Sequence, residues 1–384
     1  MMRPLTVVQM LPELEEGGVE CETVELAEYL VGQGHRSLVI SEGGRMVPAL
    51  VASGSIHHTW PHIGEKSPRC LAYLVQLRRL LAETPVDILH LRSRLPAWIG
   101  YLAWKSLPSK KRPYLVTTFH GFHSINAYSA IMARGQRIIA VSQCIAEHIK
   151  TAYGVPDERI AVIYGSYDEE SFAPERVEAA RVDALRRQWG LADDGLPLIL
   201  LPGRITRLKG HELFISSLAR IRDLPWLAVC TGDLGQNPRL SSELQGLAAA
   251  AGLETRIRFV GFCADMPAAL KMARVVVSSS VKPESFGRIA VEAQAMERPV
   301  VATAHGGSLE TVVDGRTGWL VQPGNAEEMA QAMARAVLDE ALCLSMGKNG
   351  RDWVGRRFSA QKLFEQTMAV YGRHGEKNLG RGKD

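Results

Sequence analysis

The sequence is short of several features that would each have named a class of function. It holds no uninterrupted apolar run near the roughly 18 residues that a membrane-spanning helix needs. Its six cysteines, Cys21, Cys70, Cys144, Cys230, Cys263 and Cys343, are dispersed without a Cys-x-x-Cys pair. Zinc ribbons and dithiol redox sites are thereby disfavoured, and buried free thiols are expected. No Gly-x-Gly-x-x-Gly follows the first strand-like run, so the first feature required of a nicotinamide dehydrogenase is missing. No Asp-x-Asp is present to hold a divalent ion against a diphosphate, and no metal ligands are predicted. The start, MMRPLTVVQML, enters a strand-like run at once, without the charged, apolar and small-residue regions of a signal peptide. A cytoplasmic protein is expected, at most peripheral on the inner face of the cytoplasmic membrane.

What is present is the composition of a soluble globular chain, with 46% hydrophobic and 22% charged residues. At 384 residues it exceeds one usual core, so two domains are expected. The formal charge of +4 decides little, but residues 36–150 carry fifteen Lys and Arg against five Asp and Glu. Such an excess suits an anionic partner, a phosphorylated glycolipid or a membrane surface, and equally a scattered solvated face. The cluster Lys110-Lys111-Arg112 has no interleaved aromatics, which weighs against nucleic acid.

Short apolar runs alternate with amphipathic segments, the pattern of repeated βα units with parallel sheets. Strands are predicted at 5–10, 37–40, 56–60, 88–91, 114–119, 137–141 and 160–163, then at 198–201, 227–230, 257–260, 275–277 and 300–301. A helix from about residue 20 to 31 follows Gly17-Gly18. The polar segment between Asp168 and Pro197 reads as a linker with a short helix. The expected organisation is residues 1–170, a linker 171–196, a second domain 197–355, a helix 356–372 returning to the first domain, and a disordered tail 373–384.

The most informative stretch is 275–296, VVVSSSVKPESFGRIAVEAQAM, which joins an apolar strand, a polar turn and a helix predicted to start near Ser285. It carries Glu284 at the mouth of that helix and Glu292 eight positions on. Spacing alone leaves two readings open: a clamp on a long ligand, or a capping acid plus a helix-surface glutamate. The turn Leu201-Pro202-Gly203-Arg204-Ile205-Thr206-Arg207-Leu208-Lys209-Gly210 sets two glycines and three cations between a strand and a helix, which suits a diphosphate. A third loop, Ala304 to Glu310, again places glycines before a helix start.

Taken together these motifs resemble the group 4 retaining glycosyltransferases of GT-B fold, over nearly the whole chain. Glu284 to Glu292, with Ser285-Phe286-Gly287, looks like that family's Glu-x7-Glu signature. Gly203-Arg204 with Lys209-Gly210 looks like its basic loop, and Gly306 to Glu310 with Asp314 to Gly318 like its second glycine loop. Gly17-Gly18-Val19-Glu20 and Thr118-Phe119-His120-Gly121 look like the loops of its first domain. The resemblance implies an α/β protein, two Rossmann-like doubly wound domains facing across a cleft, with C-terminal helices. It implies transfer of a hexose-type sugar from a UDP-, GDP- or ADP-linked donor to a glycan or glycolipid, without a cofactor. Arg204 and Lys209 would hold the diphosphate and Glu292 the ribose. Glu284, Ser285, and the N–H groups of Phe286 and Gly287 would hold the donor sugar, with His120 against it. Gly17, Gly18 and Gly203 would allow close approach, and Phe262 would lie by the base.

Within the family, the stretches 17–27 and 90–98 look like lipopolysaccharide-core glycosyltransferases, with Arg92 and Arg94 placed to grip an anionic acceptor. Two departures are visible. Cys21 stands where the family commonly has Arg, and Gly165-Ser166-Tyr167-Asp168 is one residue longer than the usual Gly-Val-Asp. A non-catalytic sugar-nucleotide binder and a sugar-nucleotide 2-epimerase of the same architecture are the alternatives.

Overall fold

The computed structural model describes residues 3–15, 17–67, 69–192 and 195–379. The chain forms two compact units, Met1–Gly165 together with the chain from Gln361 onward, and Ser166–Ala360. In the first unit, β1 (Thr6–Met10), β2 (Arg36–Ser41), β3 (Ile56–Thr59), β4 (Ile88–Leu91), β5 (Tyr114–Phe119), β6 (Arg137–Ala140) and β7 (Ile160–Val162) make one parallel sheet. Its order is β3-β2-β1-β4-β5-β6-β7. Central strands β4 and β5 are buried along their whole length. Helical crossovers cover both faces of such a sheet, and this is why its strands read as continuous apolar runs rather than alternating ones.

Two sets of polar groups inside this core are paired across elements. Gln9, in the middle of β1, donates from Nε2 to the Thr23 carbonyl at 3.3 Å and accepts from Arg92 at 2.7 Å. The C-terminal helix Ala360–Leu379 adds a second buried set from the Gln361 side onward. The Tyr371 hydroxyl meets His90 Nδ1 at 2.8 Å, and His90 Nε2 meets Thr118 Oγ1 at 2.6 Å. Burial, then Arg92 and His120, push the His90 imidazole well below its ordinary value. It is therefore neutral, one nitrogen donating and the other accepting, and can link both hydroxyls. Tyr371→Phe removes one partner and leaves a buried nitrogen unsatisfied, so a loss of about 1–3 kcal/mol is expected in urea unfolding. Wild-type stability in that variant would show that His90 is satisfied otherwise.

In the second unit, β8 (Leu198–Pro202), β9 (Leu227–Thr231), β10 (Ile257–Phe259), β11 (Val275–Ser278), β12 (Val300–Thr303) and β13 (Gly318–Val321) form a parallel sheet. Its order is β10-β9-β8-β11-β12-β13. Strand β13 is not among the predicted strands, because its four residues follow a glycine turn and read as part of the loop motif 314–318. Residues 171–196, expected to be a linker, carry the helix Ala179–Gln188. Val177, Leu185 and Trp189 bury in the same core as Ala269 and Val276, so apolar burial ties this segment to the second unit. The boundary between units falls at Gly165, and the stretch from Arg373, expected to be a tail, is helical through Leu379. Residues 380–384 lie outside the described residues. No helix among the described residues is long and apolar enough to cross a membrane.

Both sheets reverse their strand order once, between β1 and β4 and between β8 and β11. Open parallel sheets bind ligands outside the carboxyl ends of the strands at such a reversal, where neighbouring loops part to opposite faces.

Candidate functional site

At the reversal in the second unit, the loop after β8 meets the loop after β11. Lys209 donates from Nζ to Glu284 Oε1 at 2.7 Å, both side chains being mostly buried. Ser280 Oγ donates to the same carboxylate oxygen. Backbone and side-chain bonds fasten the loops together: Val281 N–H to the Leu208 carbonyl at 2.9 Å, and Ser279 Oγ to the Lys209 carbonyl at 2.9 Å. Gly210 marks their closest approach. It lies at φ 69°, and a Cβ there would stand 1.8 Å from the Ser279 carbonyl oxygen. Only glycine fits, which explains the Lys-Gly pair in physical terms.

The loop before the short helix Ser308–Thr311 closes a third side. The Gly307 N–H donates to the Glu284 carbonyl at 2.7 Å, and Gly306 bridges Glu284. His305 Nε2 lies 2.8 Å from the Ser280 carbonyl. Burial alone would raise the Glu284 carboxyl, but Lys209, then the bonds from Lys209 and Ser280, then His305, hold it below the ordinary value. Glu284 is thus an anion at neutral pH, already oriented by a cation.

The three cations of the basic loop divide. Arg204 is exposed and makes no ion pair among the described residues. Arg207 is tied to Glu212 and, at 2.7 Å, to Glu243 on the surface. Lys209 faces inward. Two cations with different surroundings, one free and one held by a carboxylate, can meet the two ends of a diphosphate without an ion between them.

The helix after β11 runs Arg288–Ala295 and does not start near Ser285, as its sequence suggests. Gly287 sits at φ 85°, outside the helical range, and Phe286 turns its ring inward against Phe358 at 5.4 Å. The first helical N–H groups are those of Arg288 and Ile289, and Ser285, Phe286 and Gly287 form the loop that leads to them. Glu292 lies on this helix at 8% exposure, with Oε1 accepting from Arg288 Nε at 2.6 Å. Burial raises its carboxyl, Arg288 opposes that, and Asp168 adds to it. A surface helix glutamate would not be so placed, and the capping-plus-surface reading of the two acids fails on this point. At the end of β10, Phe262 is 55% exposed, an aromatic face open at the carboxyl edge of the sheet, and Gly203 follows β8 directly.

In the first unit, Gly17 precedes the helix Gly18–Gly32 at the carboxyl end of β1. His120 follows β5, and its Nε2 is closed to solvent without a hydrogen bond. Burial, then Arg92 and His123, lower its imidazole well below the ordinary value. A neutral ring with an unsatisfied nitrogen is suited to one specific hydrogen bond. Arg92 is not the surface grip its position suggested. At 2% exposure it is bound to Glu22 and Gln9 inside the first unit, because an arginine at the end of a central strand can be buried only with its charge paired. Arg94 is half-buried, its guanidinium over the Tyr128 ring at 5.6 Å.

Ser280, Arg288 and His305 belong to the site and were not singled out in the sequence. Arg288 was detectable, standing four residues before Glu292 on the same helical face. Ser280 and His305 come from different loops and carried no such signal.

Residues 16–171 match the family model Glycosyltransferase Family 4, and residues 183–353 match Glycosyl transferases group 1. A D-inositol 3-phosphate glycosyltransferase of Salinispora tropica is 32% identical over 252 residues, 63% of this chain and 52% of that protein. The match thus spans about half of that relative's length. The crystal structure of a glycosyltransferase from Rickettsia africae ESF-5 superposes with a TM-score of 0.88 at 29% identity, covering 97% of this chain and 99% of that one. Anabaena Alr3699/HepE, solved in complex with UDP-glucose, shares the fold at a TM-score of 0.82 and 23% identity, over 96% of this chain and all of that one. Both halves of the sequence match in order and both sheets have the Rossmann-like topology, so the chain belongs to the family 4 glycosyltransferases of GT-B fold.

Proposed function

We propose that the protein is a retaining hexosyltransferase that moves a sugar from a nucleoside diphosphate sugar to a hydroxyl of a glycan or glycolipid of the cell envelope, lipopolysaccharide core among them. The observation that carries this reading is the Lys209–Glu284 pair at the sheet reversal, with Arg204 exposed beside it. As the bond from the sugar to the diphosphate breaks, negative charge grows on the leaving oxygen, and preorganised cations stabilise that charge most. Arg204 and Lys209 serve there. The acceptor oxygen forms its bond to the same face of the sugar, and its proton passes to the departing phosphate oxygen. No carboxylate nucleophile is needed. Glu284 and its loop hold the donor sugar, Glu292 the ribose hydroxyls, and Phe262 the base. In the first unit, neutral His120 keeps Nε2 available for one hydrogen bond to a sugar hydroxyl, and Gly17 and Gly18 keep backbone accessible. The UDP-glucose held by the Anabaena protein supports a hexose donor of this class.

An envelope acceptor is supported by the helix Arg69–Glu83, whose Leu71 and Val75 are 72% and 65% exposed beside exposed Arg78 and beside Arg79, which is paired with Glu83 at 2.8 Å. Apolar residues flanked by cations on one helix face suit an anionic membrane surface.

The test is a mass-spectrometric panel of UDP-, GDP- and ADP-hexoses with glycan and lipid A–core acceptors, in EDTA. The expected result is nucleoside diphosphate release matched by acceptor glycosylation. Sugar isomerisation, binding without turnover, or turnover that requires added manganese would overturn the corresponding part of the proposal.

A further inference from the structure

The loops at the carboxyl ends of β2 and β3 bring Glu42, His62 and Glu65 to one point of the first unit. Their ligand atoms all lie within 4.8 Å of one another, the one such group among the described residues. Both carboxylates approach the same nitrogen: His62 Nδ1 is 3.2 Å from Glu65 Oε1 and 3.7 Å from Glu42 Oε1. That nitrogen is closed to solvent and makes no hydrogen bond. A carboxylate at 3.2 Å that accepts nothing from the ring is misaligned as a simple pair partner. Two acids therefore crowd one nitrogen without either satisfying it.

The surroundings add to the negative charge. On the loop after β1, the Glu13 carboxyl is raised, by burial first and then by Glu20, Glu15 and Glu42. Arg45 is nearby but is paired with Glu15 at 3.1 Å. The loops themselves are fixed by backbone bonds, Glu42 N–H to the Pro12 carbonyl at 2.8 Å and Leu14 N–H to the Gly43 carbonyl at 2.7 Å.

We infer that Glu42, His62 and Glu65 form a divalent-cation site, with zinc the ion that fits best. Zinc holds nitrogen and carboxylate oxygen at about 2.0–2.2 Å, which at a tetrahedral angle sets neighbouring ligand atoms about 3.4 Å apart. The two observed nitrogen–oxygen distances straddle that value. One imidazole with two carboxylates suits zinc better than magnesium, which keeps its waters and prefers an all-oxygen octahedron. Water completes the fourth position. The bound ion joins the loop after β2 to the loop after β3 and relieves the repulsion between the two acids. It has no part in neutralising the diphosphate, and the inference does not rest on the transferase reading.

The experiment is calorimetric titration of chelator-stripped, full-length protein with zinc chloride, beside melting curves with and without the ion. The expected result is one saturable equivalent, weakened at least tenfold in His62→Asn and in the Glu42→Gln, Glu65→Gln double variant. Zinc should also raise the melting temperature of the wild type, by on the order of 5 °C at about 100 Kd, and that of the variants by about half as much or less. Asparagine is chosen because His62 has φ 62°, a conformation that asparagine tolerates. If His62→Asn folds poorly, Glu65→Gln on the exposed side of the cluster decides. Absence of a saturable equivalent, or equal affinity in wild type and variants, overturns the site; the second outcome assigns the ion to other side chains.

Discussion

Lys209→Ala is expected to lower kcat/KM by about 10²–10³, or about 2.7–4 kcal/mol of transition-state stabilisation, the usual loss for one preorganised electrostatic contact. The loss should fall on kcat more than on KM, because the charge that Lys209 meets grows as the diphosphate leaves. A second signature follows from the pairing at 2.7 Å with Glu284. Without Lys209, burial of Glu284 is no longer offset by its strongest partner, its carboxyl rises, and the acid limb of the residual activity moves to higher pH. Arg204→Ala should lose activity on the same scale. Arg207→Ala is the control, since its guanidinium is spent on two surface carboxylates, and exposed pairs of that kind contribute at most about 1 kcal/mol. Wild-type kcat/KM in Lys209→Ala would remove the lysine from the mechanism.

The second large effect concerns backbone. Gly210→Ala places a Cβ 1.8 Å from the Ser279 carbonyl oxygen, and neither backbone can yield without breaking the bonds that join the two loops. A loss of about 3 kcal/mol or more is expected in denaturant unfolding of the second unit, with donor binding lost in parallel. Gly252→Ala separates the two causes. Its φ of 70° matches that of Gly210, yet nothing stands within 4 Å of the added Cβ, so only the left-handed cost of about 1–2 kcal/mol applies. If both variants lose the same stability, the close approach of the loops at Gly210 is not what fixes its identity.

Most strands were legible because they lie inside a parallel sheet covered on both faces, which demands a short, unbroken apolar run between polar turns, whereas edge strand β3, Ile56–Thr59, has no buried residue. Ile88–Leu91 and Tyr114–Phe119 coincide with their predicted limits. Strand β13 escaped because four residues after a glycine turn carry too little pattern. Residues 171–196 look polar in a line, yet three apolar residues, Val177, Leu185 and Trp189, suffice to pin them to a core. Local charge count says nothing of such pinning.

By itself the sequence determined the repeated βα architecture, the two-part organisation and the positions of Lys209, Glu284 and Glu292. Those features depend on local pattern, on strand and turn composition and on motif spacing. Only the tertiary structure decided what each charge does. It turned Arg92 inward to Glu22 and Gln9, sent Arg207 to surface acids, set Lys209 on Glu284, and gathered Glu42 and Glu65 around His62. A side chain's charge is written in its residue type, but its partner is chosen by which loops the sheet order brings side by side, and adjacent strands such as β8 and β11 are far apart in the chain.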